Sequence, residues 1–387
     1  MLSGKKNFMR LAISITLIIL ILNFVLTQVR NSIYLRTYRQ NIGEKLRTVL
    51  RRNVHFHQDK LTNLNETTGG KKVKIILLYT TFFKGSWYLR WNNDFYCSYK
   101  SKCLFTYNRD YIHEADAVGF HDADIPGISM PTRTNTKQIW FYFNLESPTF
   151  SKINGECDGL FNWTMSYRTD SDVFTPYGSF RPIDCDESKA PWPNTAEKTK
   201  LAAWIVSSCN APSGRTGVAR KLSQYIPIDV FGKCGNLTCS KGQELRLSKE
   251  CRATLQQYKF YLAFENTNCD DYITEKYWEH GLENGLVPIV LGGANYNRLA
   301  IPGSYINVRD FKTVKDLAEY IKYLDANRTA YNEYFKWKHS YKLETPYLYG
   351  CSLCEALHRT KALTTKVYKD LNTFWRKGKC QEKIVYQ

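Results

Sequence analysis

Residues 260–276 read FYLAFENTNCDDYITEK, and this stretch decides the fold. Its apolar start, FYLAF, is typical of a strand that is buried on both faces, and a polar loop follows at once. Aspartate is a preferred N-cap residue, so Asp271 predicts a helix that begins near Tyr272. The stretch therefore predicts a strand, a loop and a helix in immediate succession.

The same succession repeats along the chain. Apolar runs that predict further strands stand at residues 73–79, 203–206, 228–231 and 287–291. Helical patterns lie at residues 216–225, 272–283 and 314–324. Strands that alternate with helices at this spacing predict an α/β fold with parallel sheets. Because such sheets bind ligands at the carboxyl ends of their strands, the loops after Val206, Phe264 and Leu291 are the first candidates for a site.

The loop after Phe264 has the chemistry of an anion site. Lys276 would lie in the opening turns of the predicted helix, where free backbone N–H groups already favour an anion. A lysine there makes a diphosphate site, and Glu275 beside it could accept hydrogen bonds from ribose or sugar hydroxyls. The alternative is a solvated first turn with an ordinary ion pair.

Two other loops contain residues that suit a phosphate ligand. Residues 207–215 (SSCNAPSGR) end in Arg215, which could clamp a phosphate across a cleft or could simply be an exposed loop arginine. Gly292 and Gly293, after the run at 287–291, permit a close backbone approach to a ligand or make a turn.

The first half of the chain offers one candidate base. Glu146 lies two residues after an aromatic run, IWFYFN, at residues 139–144. A loop glutamate is usually solvated, but Glu146 could act as a general base if its loop faces the second half of the chain. Asp170 and Asp172 form a DxD tripeptide, which is short and frequent, so we expect a turn or capping role there.

Length and charge define the domain organisation. The 387 residues suffice for two domains with accessory segments, and 54 basic against 36 acidic residues give a net charge of +18. Residues 1–72 hold 13 of the basic and 3 of the acidic side chains, so +10 of the +18 lies outside the predicted folded body. This distribution disfavours nucleic-acid binding by that body.

An apolar stretch at residues 11–29 (LAISITLIILILNFVLTQV) is long enough to cross a bilayer. We predict a cytosolic tail over residues 1–10, a transmembrane anchor over 11–29 and a stem over 30–70. Two domains follow, at 71–193 and 194–387, with the Pro-Trp-Pro stretch at 191–193 as the hinge.

All 12 cysteines lie C-terminal to the predicted anchor, which indicates an oxidising lumen on that side of the membrane. N-glycosylation sequons support the same orientation, that of a type II membrane protein, and begin at Asn65, Asn162, Asn236 and Asn327. Cys351 and Cys354 have the spacing of half a zinc site. Because no second pair of ligands follows, we predict a short-loop disulfide between them.

Taken together, these motifs resemble a known family. The stretch at 264–276, followed by GLVPIVLG at 285–292, is similar to the signature of the α1,3/4-fucosyltransferases, glycosyltransferase family ten. Other pieces fit in order: residues 144–148 (NLESP), 167–172 (YRTDSD), 176–178 (PYG), 302–306, 310–311, and the late pair Cys351 and Cys354. The likeness extends over residues 73–355.

The resemblance implies a GT-B fold, in which two Rossmann-like domains face a cleft. The domain at 71–193 would bind a glycan acceptor and the domain at 194–387 would bind GDP-β-L-fucose. The implied activity is inverting transfer of L-fucose to O3 of N-acetylglucosamine in N-glycans or related glycans, by an enzyme of the Golgi membrane. No metal is implied as a requirement, although Mg²⁺ or Mn²⁺ could stimulate turnover.

The resemblance also assigns roles to single residues. Glu146 matches the catalytic base, and Arg215 and Lys276 match the cations that bind the diphosphate. The donor contacts that the resemblance implies are Asn266, Tyr272, Glu275 and, as a further candidate, Tyr177. The chain departs from the family's wording at Cys209-Asn210 and at Asn268-Cys269, which puts the fine geometry of the donor loops in question.

Two alternatives to this function stay open. One is a transferase for another GDP-sugar, and the other is an inactive homologue that binds glycans at the membrane. The acceptor itself is not determined by the sequence. Aromatic side chains in the loops on the acceptor side could stack on sugars or belong to the core, namely Phe82, Phe83, Trp87, Tyr88 and Trp91.

Overall fold

The computed structural model describes residues 73–85, 87, 96–98, 101–133, 135–184, 195–242, 246–344, 349–359, 366–376 and 379–381. The predicted cytosolic tail, anchor and stem lie outside these residues, as do Asn65, Tyr88, Trp91 and the Pro-Trp-Pro stretch. In the part of the chain that the structure describes, no helix has the length and apolar character that a membrane span requires.

The first half of the chain forms a seven-stranded sheet. Its strands are β1 (Lys74–Leu78), β2 (Tyr96–Ser98), β3 (Ser101–Thr106), β4 (Ala117–His121), β5 (Ile139–Asn144), β6 (Trp163–Ser166) and β7 (Val173–Phe174). They lie in the order β2-β3-β1-β4-β5-β6-β7, and every pair except β2–β3 is parallel. The aromatic strand β5 is buried along its whole length, as a central parallel strand should be.

Short 3₁₀ turns accompany these strands, at Arg109–His113, Asp122–Gly127, Pro148–Phe150 and Gly155–Cys157.

The second half forms a five-stranded sheet that is wholly parallel. After β8 (Ser179–Pro182) come β9 (Lys200–Ile205), β10 (Ile228–Phe231), β11 (Tyr258–Phe264), β12 (Asn268–Cys269), β13 (Val287–Leu291) and β14 (Ile306–Asn307). The sheet order is β10-β9-β11-β13-β14. The predicted α/β class is therefore confirmed, although the first sheet has one antiparallel pair at its edge.

Helices follow the strands of the second half. They are α1 (Arg215–Leu222), α2 (Lys249–Leu255), a π-helical segment at Lys276–Glu283, α3 (Tyr296–Leu299), α4 (Val314–Ala326) and α5 (Arg328–Glu333). Further 3₁₀ turns lie at Thr195–Glu197, Val308–Asp310 and Lys336–His339.

The helix predicted from Tyr272 begins only at Lys276, so the predicted capping role of Asp271 is wrong. Asp271 has a left-handed φ of 59° instead, and its carboxylate accepts hydrogen bonds from the backbone N (3.0 Å) and hydroxyl (2.7 Å) of Thr169. A polar partner in the other half of the chain therefore replaces the local cap.

Strand order creates a crevice in each sheet. In the second sheet, β10 and β11 lie on opposite sides of β9, so the connections leave β9 and β11 in opposite directions. In the first sheet, β3 and β4 flank β1 in the same way. Ligands of open α/β sheets bind at such switch points, beyond the carboxyl ends of the strands.

The C-terminal segment returns to the first sheet. It comprises β15 (Tyr341–Glu344), α6 (Tyr349–Arg359), α7 (Leu371–Arg376) and β16 (Cys380–Gln381). Leu353 of α6 and Trp375 of α7 belong to the same buried core as the strands β1 and β5. The predicted domain limits stay a prediction, but side chains from beyond residue 349 complete the core of the first half.

Four disulfides join the described residues: Cys103–Cys354, Cys209–Cys234, Cys239–Cys251 and Cys269–Cys380. The predicted short-loop bond between Cys351 and Cys354 is wrong, because Cys354 faces the sheet and bonds to Cys103 in β3. Cys351 is disulfide-bonded too, so both residues do form disulfides.

The asparagines of the predicted glycosylation sequons differ in solvent exposure. Asn162 is 1% exposed; its carboxamide accepts from Trp140 N and donates to Lys366 O, each at 2.9 Å. A glycan there is incompatible with this fold, so that prediction is wrong. Asn236 is exposed and Asn327 is half-buried, and both stay predictions.

We expect the disulfide between Cys103 and Cys354 to contribute more to stability than the one between Cys239 and Cys251. The first bond joins residues 251 apart and the second only 12 apart, and closure of the longer loop removes more entropy from the unfolded chain. The double variant Cys103→Ala/Cys354→Ala should lose about 2–5 kcal/mol of unfolding free energy in urea. An equal or larger loss in Cys239→Ala/Cys251→Ala would contradict this.

Candidate active site

Glu146 lies two residues beyond β5, at the carboxyl edge of the first sheet. Its backbone N donates to Asn144 Oδ1 (2.8 Å), and the hydroxyl of Tyr177 donates to the carbonyl of Leu145 (2.7 Å). These bonds hold both polar atoms of the peptide group that joins Leu145 to Glu146. Tyr177, which was predicted as a donor contact, thus binds the backbone next to the candidate base.

Burial raises the pKa of Glu146 above its ordinary value, and the negative charge of Glu275 raises it further, while Lys276 lowers it. The charges of Glu275 and Lys276, both predicted to bind the donor, therefore act on the pKa of Glu146. A carboxylate with a raised pKa that is partly open to a cleft suits proton abstraction near neutral pH.

A buried carboxylate holds the rest of the Glu146 loop. Asp122, 2% exposed, accepts from the hydroxyls of Tyr142 and Ser151, both at 2.8 Å. It also accepts from the backbone N of Lys152 (2.8 Å) and Ile153 (3.0 Å). The sequence reasoning missed Asp122, because its role depends on residues some 30 positions later in the chain.

Arg376, the last residue of α7, binds the same loop from the other side. Its guanidinium donates to the carbonyls of Pro148 (3.1 Å), Ser151 (2.8 Å) and Ile153 (3.1 Å). The C-terminal helix therefore fixes the position of the loop that carries Glu146.

Lys276 lies at the carboxyl edge of the second sheet, inside a ring of oxygens. Its Nζ donates to Thr274 Oγ1 (2.7 Å), Glu265 Oε2 (3.0 Å) and Glu275 Oε1 (3.1 Å). Although burial alone would lower the pKa of Lys276, these two carboxylates raise it. The ammonium group is therefore charged throughout the physiological range.

Glu265 is the residue of this cluster that the sequence reasoning missed. It is fully buried, and besides Lys276 it accepts from the backbone N (2.8 Å) and hydroxyl (2.9 and 3.0 Å) of Thr274. A carboxylate directly after the apolar run of β11 was the available signal, since a buried charge at a strand end requires partners.

Arg215 begins α1 and is 3% exposed. Its guanidinium donates to the carbonyls of Phe264 (2.8 Å) and Ser208 (3.2 Å), so it joins the loops after β11 and β9. The exposed-loop alternative for Arg215 is therefore excluded. Its Nε is buried and makes no hydrogen bond to any residue that the structure describes.

Three other buried polar atoms also make no hydrogen bond to the described residues, namely Asn266 Oδ1, Thr267 Oγ1 and Tyr296 OH. All belong to segments that follow β11 or β13. Buried polar atoms are nearly always paired in native proteins, so atoms of this kind in the segments after β11 and β13 fit a polar ligand. Asn266 was among the predicted donor contacts.

Tyr272 is buried between the two halves of the chain. Its ring centroid lies 4.9 Å from that of Tyr167 and 6.2 Å from that of Tyr177. Tyr272 belongs to the loop after β11 (residues 265–275, the donor loop), and this predicted donor contact packs against two other tyrosines instead of lining the open cleft.

A cleft of about 350 Å³ joins the two carboxyl edges. Glu146 and Phe143 line it from the first sheet, and Ile205, Ser207 and Glu275 line it from the second. Glu146, Tyr177 and Glu275 therefore share one cavity, as the general-base hypothesis requires. Arg215, Lys276, Asn266 and Tyr272 are not among the residues that line it.

His280 forms part of the cleft wall, and its Nδ1 lies 2.9 Å from the hydroxyl of Tyr261. Burial lowers the pKa of His280 to about 4, although Glu275 opposes this. For Glu275 itself, burial raises the pKa, but Lys276 and His280 outweigh burial and lower it to about 2. Glu275 is therefore an ionised acceptor at any physiological pH.

At both places where the sequence departs from the family's motif, the cysteine forms a disulfide. Cys209 in the Arg215 loop bonds to Cys234, and Cys269 in the donor loop bonds to Cys380 of β16. The donor loop is further held by β12–β16 pairing and by a bond from Asp270 N to Lys379 O (2.7 Å). These cysteines therefore fasten the loops that the resemblance assigns to the donor.

Gly292 and Gly293 permit close approach of the protein's own donor loop. A Cβ on Gly293 would lie 2.3 Å from the carbonyl of Asn268, and one on Gly292 would lie 3.3 Å from Cγ of Glu265. Their absent side chains thus make room for the segment that follows β11.

The Asp170-Ser-Asp172 tripeptide has the expected structural role. Asp170 pairs with the buried Arg168, and Asp172 accepts from Thr164 N (2.8 Å) and Lys366 Nζ (2.5 Å). Among the described residues, a cluster of potential metal ligands occurs at Cys103, Cys354 and His358. Its two sulfurs are already joined to each other.

Sequence comparison finds two family profiles in this chain. Residues 71–178 match "Fucosyltransferase, N-terminal", and residues 195–375 match "Glycosyltransferase family 10 (fucosyltransferase) C-term".

Curated relatives agree. Glycoprotein 3-alpha-L-fucosyltransferase A of Drosophila melanogaster is 38% identical over 324 residues, which are 81% of this chain and 62% of that protein. Alpha-(1,3)-fucosyltransferase C of the same organism is 33% identical over 79% of this chain and 78% of its own length. Human 4-galactosyl-N-acetylglucosaminide 3-alpha-L-fucosyltransferase FUT5 is 38% identical over 66% of this chain and 67% of its own length. The chain thus spans less than two thirds of the first of these relatives.

Among solved structures, a crystal structure of an α1,3-fucosyltransferase with GDP-fucose matches 78% of this chain and 94% of that chain. The TM-score is 0.48 and the sequence identity is 19%.

The lowered pKa of His280 predicts a specific loss of stability in acid. The unfolded histidine binds a proton below pH 6.5, whereas the folded one does so only near pH 4, so stability falls as the pH falls between these values. Relative to His280→Asn, the protein should lose about 2 kcal/mol of unfolding free energy between pH 6.5 and 5.

Urea unfolding at the two pH values measures this difference. The exposed His113, changed to Asn, is the control and should give no such pH-dependent gain. An equal pH dependence in the native protein and His280→Asn would show that His280 is not buried in its neutral form.

Proposed function

Because this chain belongs to glycosyltransferase family 10, the fucosyltransferases, we propose that it transfers L-fucose from GDP-β-L-fucose to O3 of N-acetylglucosamine in a glycan. The observation that carries the proposal is the single cleft lined by Glu146 from one sheet and by Glu275 from the other. An acceptor and a donor that meet there would each have a carboxylate within reach.

The proposed architecture is GT-B, with two Rossmann-like domains facing a cleft. Two parallel sheets, each with a switch point at its carboxyl edge, support it. The acceptor domain corresponds to residues 71–193 and the GDP-fucose domain to residues 194–387. The C-terminal helices α6 and α7 then cross back to complete the acceptor domain.

Glu146 acts as the general base in this proposal. It removes the proton from the acceptor hydroxyl as that oxygen attacks the anomeric carbon of fucose. GDP leaves from the opposite face through an oxocarbenium-like transition state, so one displacement inverts the anomeric centre. The raised pKa of Glu146 suits this role, because a stronger base accepts the proton more readily.

Lys276 and Arg215 stabilise the leaving group. Negative charge grows on the diphosphate as the glycosidic bond breaks, and fixed cations at that position lower the barrier. Glu265 holds the ammonium of Lys276 in place before any ligand arrives, so little reorganisation is needed at the moment of reaction. The unpaired Nε of Arg215 supplies a further donor.

The remaining donor contacts are polar acceptors. Ionised Glu275 accepts hydrogen bonds from ribose or fucose hydroxyls, and Asn266 binds the same ligand through its unpaired Oδ1. The protein's own cations meet the developing charge, so a divalent cation such as Mn²⁺ would add to them rather than replace them.

The proposed location is the Golgi membrane, as a single-pass type II protein with a lumenal catalytic part. The apolar stretch at 11–29 supports the anchor, and four disulfides among the described residues support an oxidising compartment.

A glycan panel tests the proposal as a whole. The full chain in detergent is incubated with GDP-fucose and defined N-glycans, lactosamine and LacdiNAc acceptors, and the products are read by mass spectrometry. We expect an α1,3-linked fucose on at least one acceptor. GDP-mannose offered in competition distinguishes another GDP-sugar, and no GDP release with any acceptor would leave an inactive glycan-binding homologue.

The change Glu146→Gln should lower kcat about 100- to 10,000-fold, because the amide keeps the shape but cannot accept the proton. GDP affinity, measured by calorimetry, should stay unchanged and shows that the variant is folded. In the native enzyme, kcat/KM should fall tenfold per pH unit below a pKa higher than the ordinary 4.5. Substantial residual transfer by folded Glu146→Gln would refute the role.

The change Lys276→Ala should weaken GDP binding about 100-fold, or about 3 kcal/mol, because a fixed cation beside the diphosphate is lost. Since Lys276 lowers the pKa of Glu146, the acidic limb of kcat/KM should also shift to higher pH. Lys200→Ala, at the opposite end of β9, is the matched control for a lost positive charge. Unchanged GDP affinity in Lys276→Ala would contradict the placement.

A further inference from the structure

The aromatic side chains on the acceptor side of the cleft differ sharply in exposure. Trp87 is 1% exposed, and its indole N–H donates to the carbonyl of Thr80 (2.7 Å), so it belongs to the core. Phe82 is partly buried against the same core. Phe83 is 52% exposed and lines the same cleft as Glu146. Phe82 and Trp87 also border this cleft, but Phe83 is the one of these three rings that is exposed rather than packed into the core.

Phe83 sits at the tip of a tight turn. Phe82 and Gly85 exchange backbone hydrogen bonds of 2.9 and 3.0 Å, which leaves Phe83 and Lys84 as the two central residues. Their φ angles are 49° and 63°. Positive φ values at both central residues define a type I′ turn, which strongly prefers Asn-Gly. A phenylalanine and a lysine at these positions are therefore conformationally unfavourable.

Asp124 holds this turn in place. Its carboxylate accepts from the backbone N of Phe83 (2.8 Å) and of Lys84 (2.9 Å), and from the hydroxyl of Thr81 (2.6 Å). Nδ1 of the buried His121 lies 2.6 Å from the same carboxylate. Four contacts therefore converge on one side chain, and they compensate for an unfavourable backbone that presents an exposed ring.

His121 supports the ring directly. Its imidazole centroid lies 4.6 Å from that of Phe83, edge to face, and 4.5 Å from that of Phe82. Because His121 ends β4, the exposed ring is attached to the sheet itself and not to a free loop. Strained backbone that the surroundings enforce is characteristic of functional positions.

We propose that Phe83 is the acceptor platform of this enzyme: the apolar face of a pyranose ring stacks on Phe83 while its hydroxyl meets Glu146. The inference rests on the proposed function and names a residue that selects the acceptor. A flat, rigid, exposed aromatic ring suits the C–H face of a neutral sugar, and it loses little conformational freedom on binding. Asp124 and His121 are positioning residues that act through the turn.

The test compares Phe83→Ala with Phe83→Tyr in the full chain, using the acceptor with the highest kcat/KM in the glycan panel. Tyr323 in α4 is also 52% exposed, so Tyr323→Ala is the matched control for loss of an exposed ring outside the cleft. We expect at least a tenfold rise in acceptor KM for Phe83→Ala, near-native KM for Phe83→Tyr, and no change for Tyr323→Ala.

Donor-side readouts separate stacking from a general structural defect. GDP affinity and the slow release of GDP from GDP-fucose in water should be unchanged in Phe83→Ala. Asp124→Asn should raise acceptor KM in the same direction, since the turn loses part of its support. An acceptor KM within twofold of native in Phe83→Ala would overturn the proposal, as would a parallel loss of GDP affinity.

Failure of the proposed function gives a different pattern. If the native protein transfers no fucose, calorimetry of the same glycans in the presence of GDP replaces the kinetics. Glycan binding that weakens tenfold in Phe83→Ala still supports the platform. Glycan binding that the substitution leaves unchanged overturns it.

Discussion

A buried carboxylate at the end of β11 is the interaction on which the site depends. Glu265 has no solvent exposure, and among the described residues its carboxylate accepts hydrogen bonds from Thr274 and Lys276, which lie 9 and 11 residues further along the chain. Breaking such a buried pair leaves an uncompensated charge and costs about 3–5 kcal/mol. This requirement bends the loop after β11 back on itself, fixes the ammonium of Lys276 and turns Glu275 towards the cleft.

The C-terminal segment connects the donor loop to the loop that carries Glu146. Arg376 binds three carbonyls of the loop that carries Glu146, and Cys380, four residues later, is bonded to Cys269 in the donor loop. One short stretch of chain therefore contacts both sides of the cleft. Effective transfer chemistry needs the reacting groups aligned to within an ångström, and this connection favours such alignment.

Much of the site could be predicted from the sequence, because it follows from local pattern. The apolar runs predicted the parallel strands, and the polar residues directly after β5, β9 and β11 predicted where Glu146, Arg215 and Glu275 would lie. The predictions that failed each depended on a distant partner. Asp271 caps no helix because Thr169 offers its carboxylate two donors, and Cys354 bonds to Cys103 because α6 packs on β3. Asn162 is buried because Trp140 and Lys366 enclose its carboxamide.

The sequence by itself determined the α/β class, the family and the residue types that carry the chemistry, because these depend on period and spacing along the chain. Only the tertiary structure decided which carboxylates share a cleft, which cysteines pair and which aromatic ring is exposed. Those outcomes depend on side chains from separate elements of the chain, which are 41 residues apart for Phe83 and Asp124 and 111 apart for Cys269 and Cys380. Arg376 acquires its role only when the C-terminal helix packs against the loop that carries Glu146, because the carbonyls that it binds lie more than 200 residues earlier in the chain.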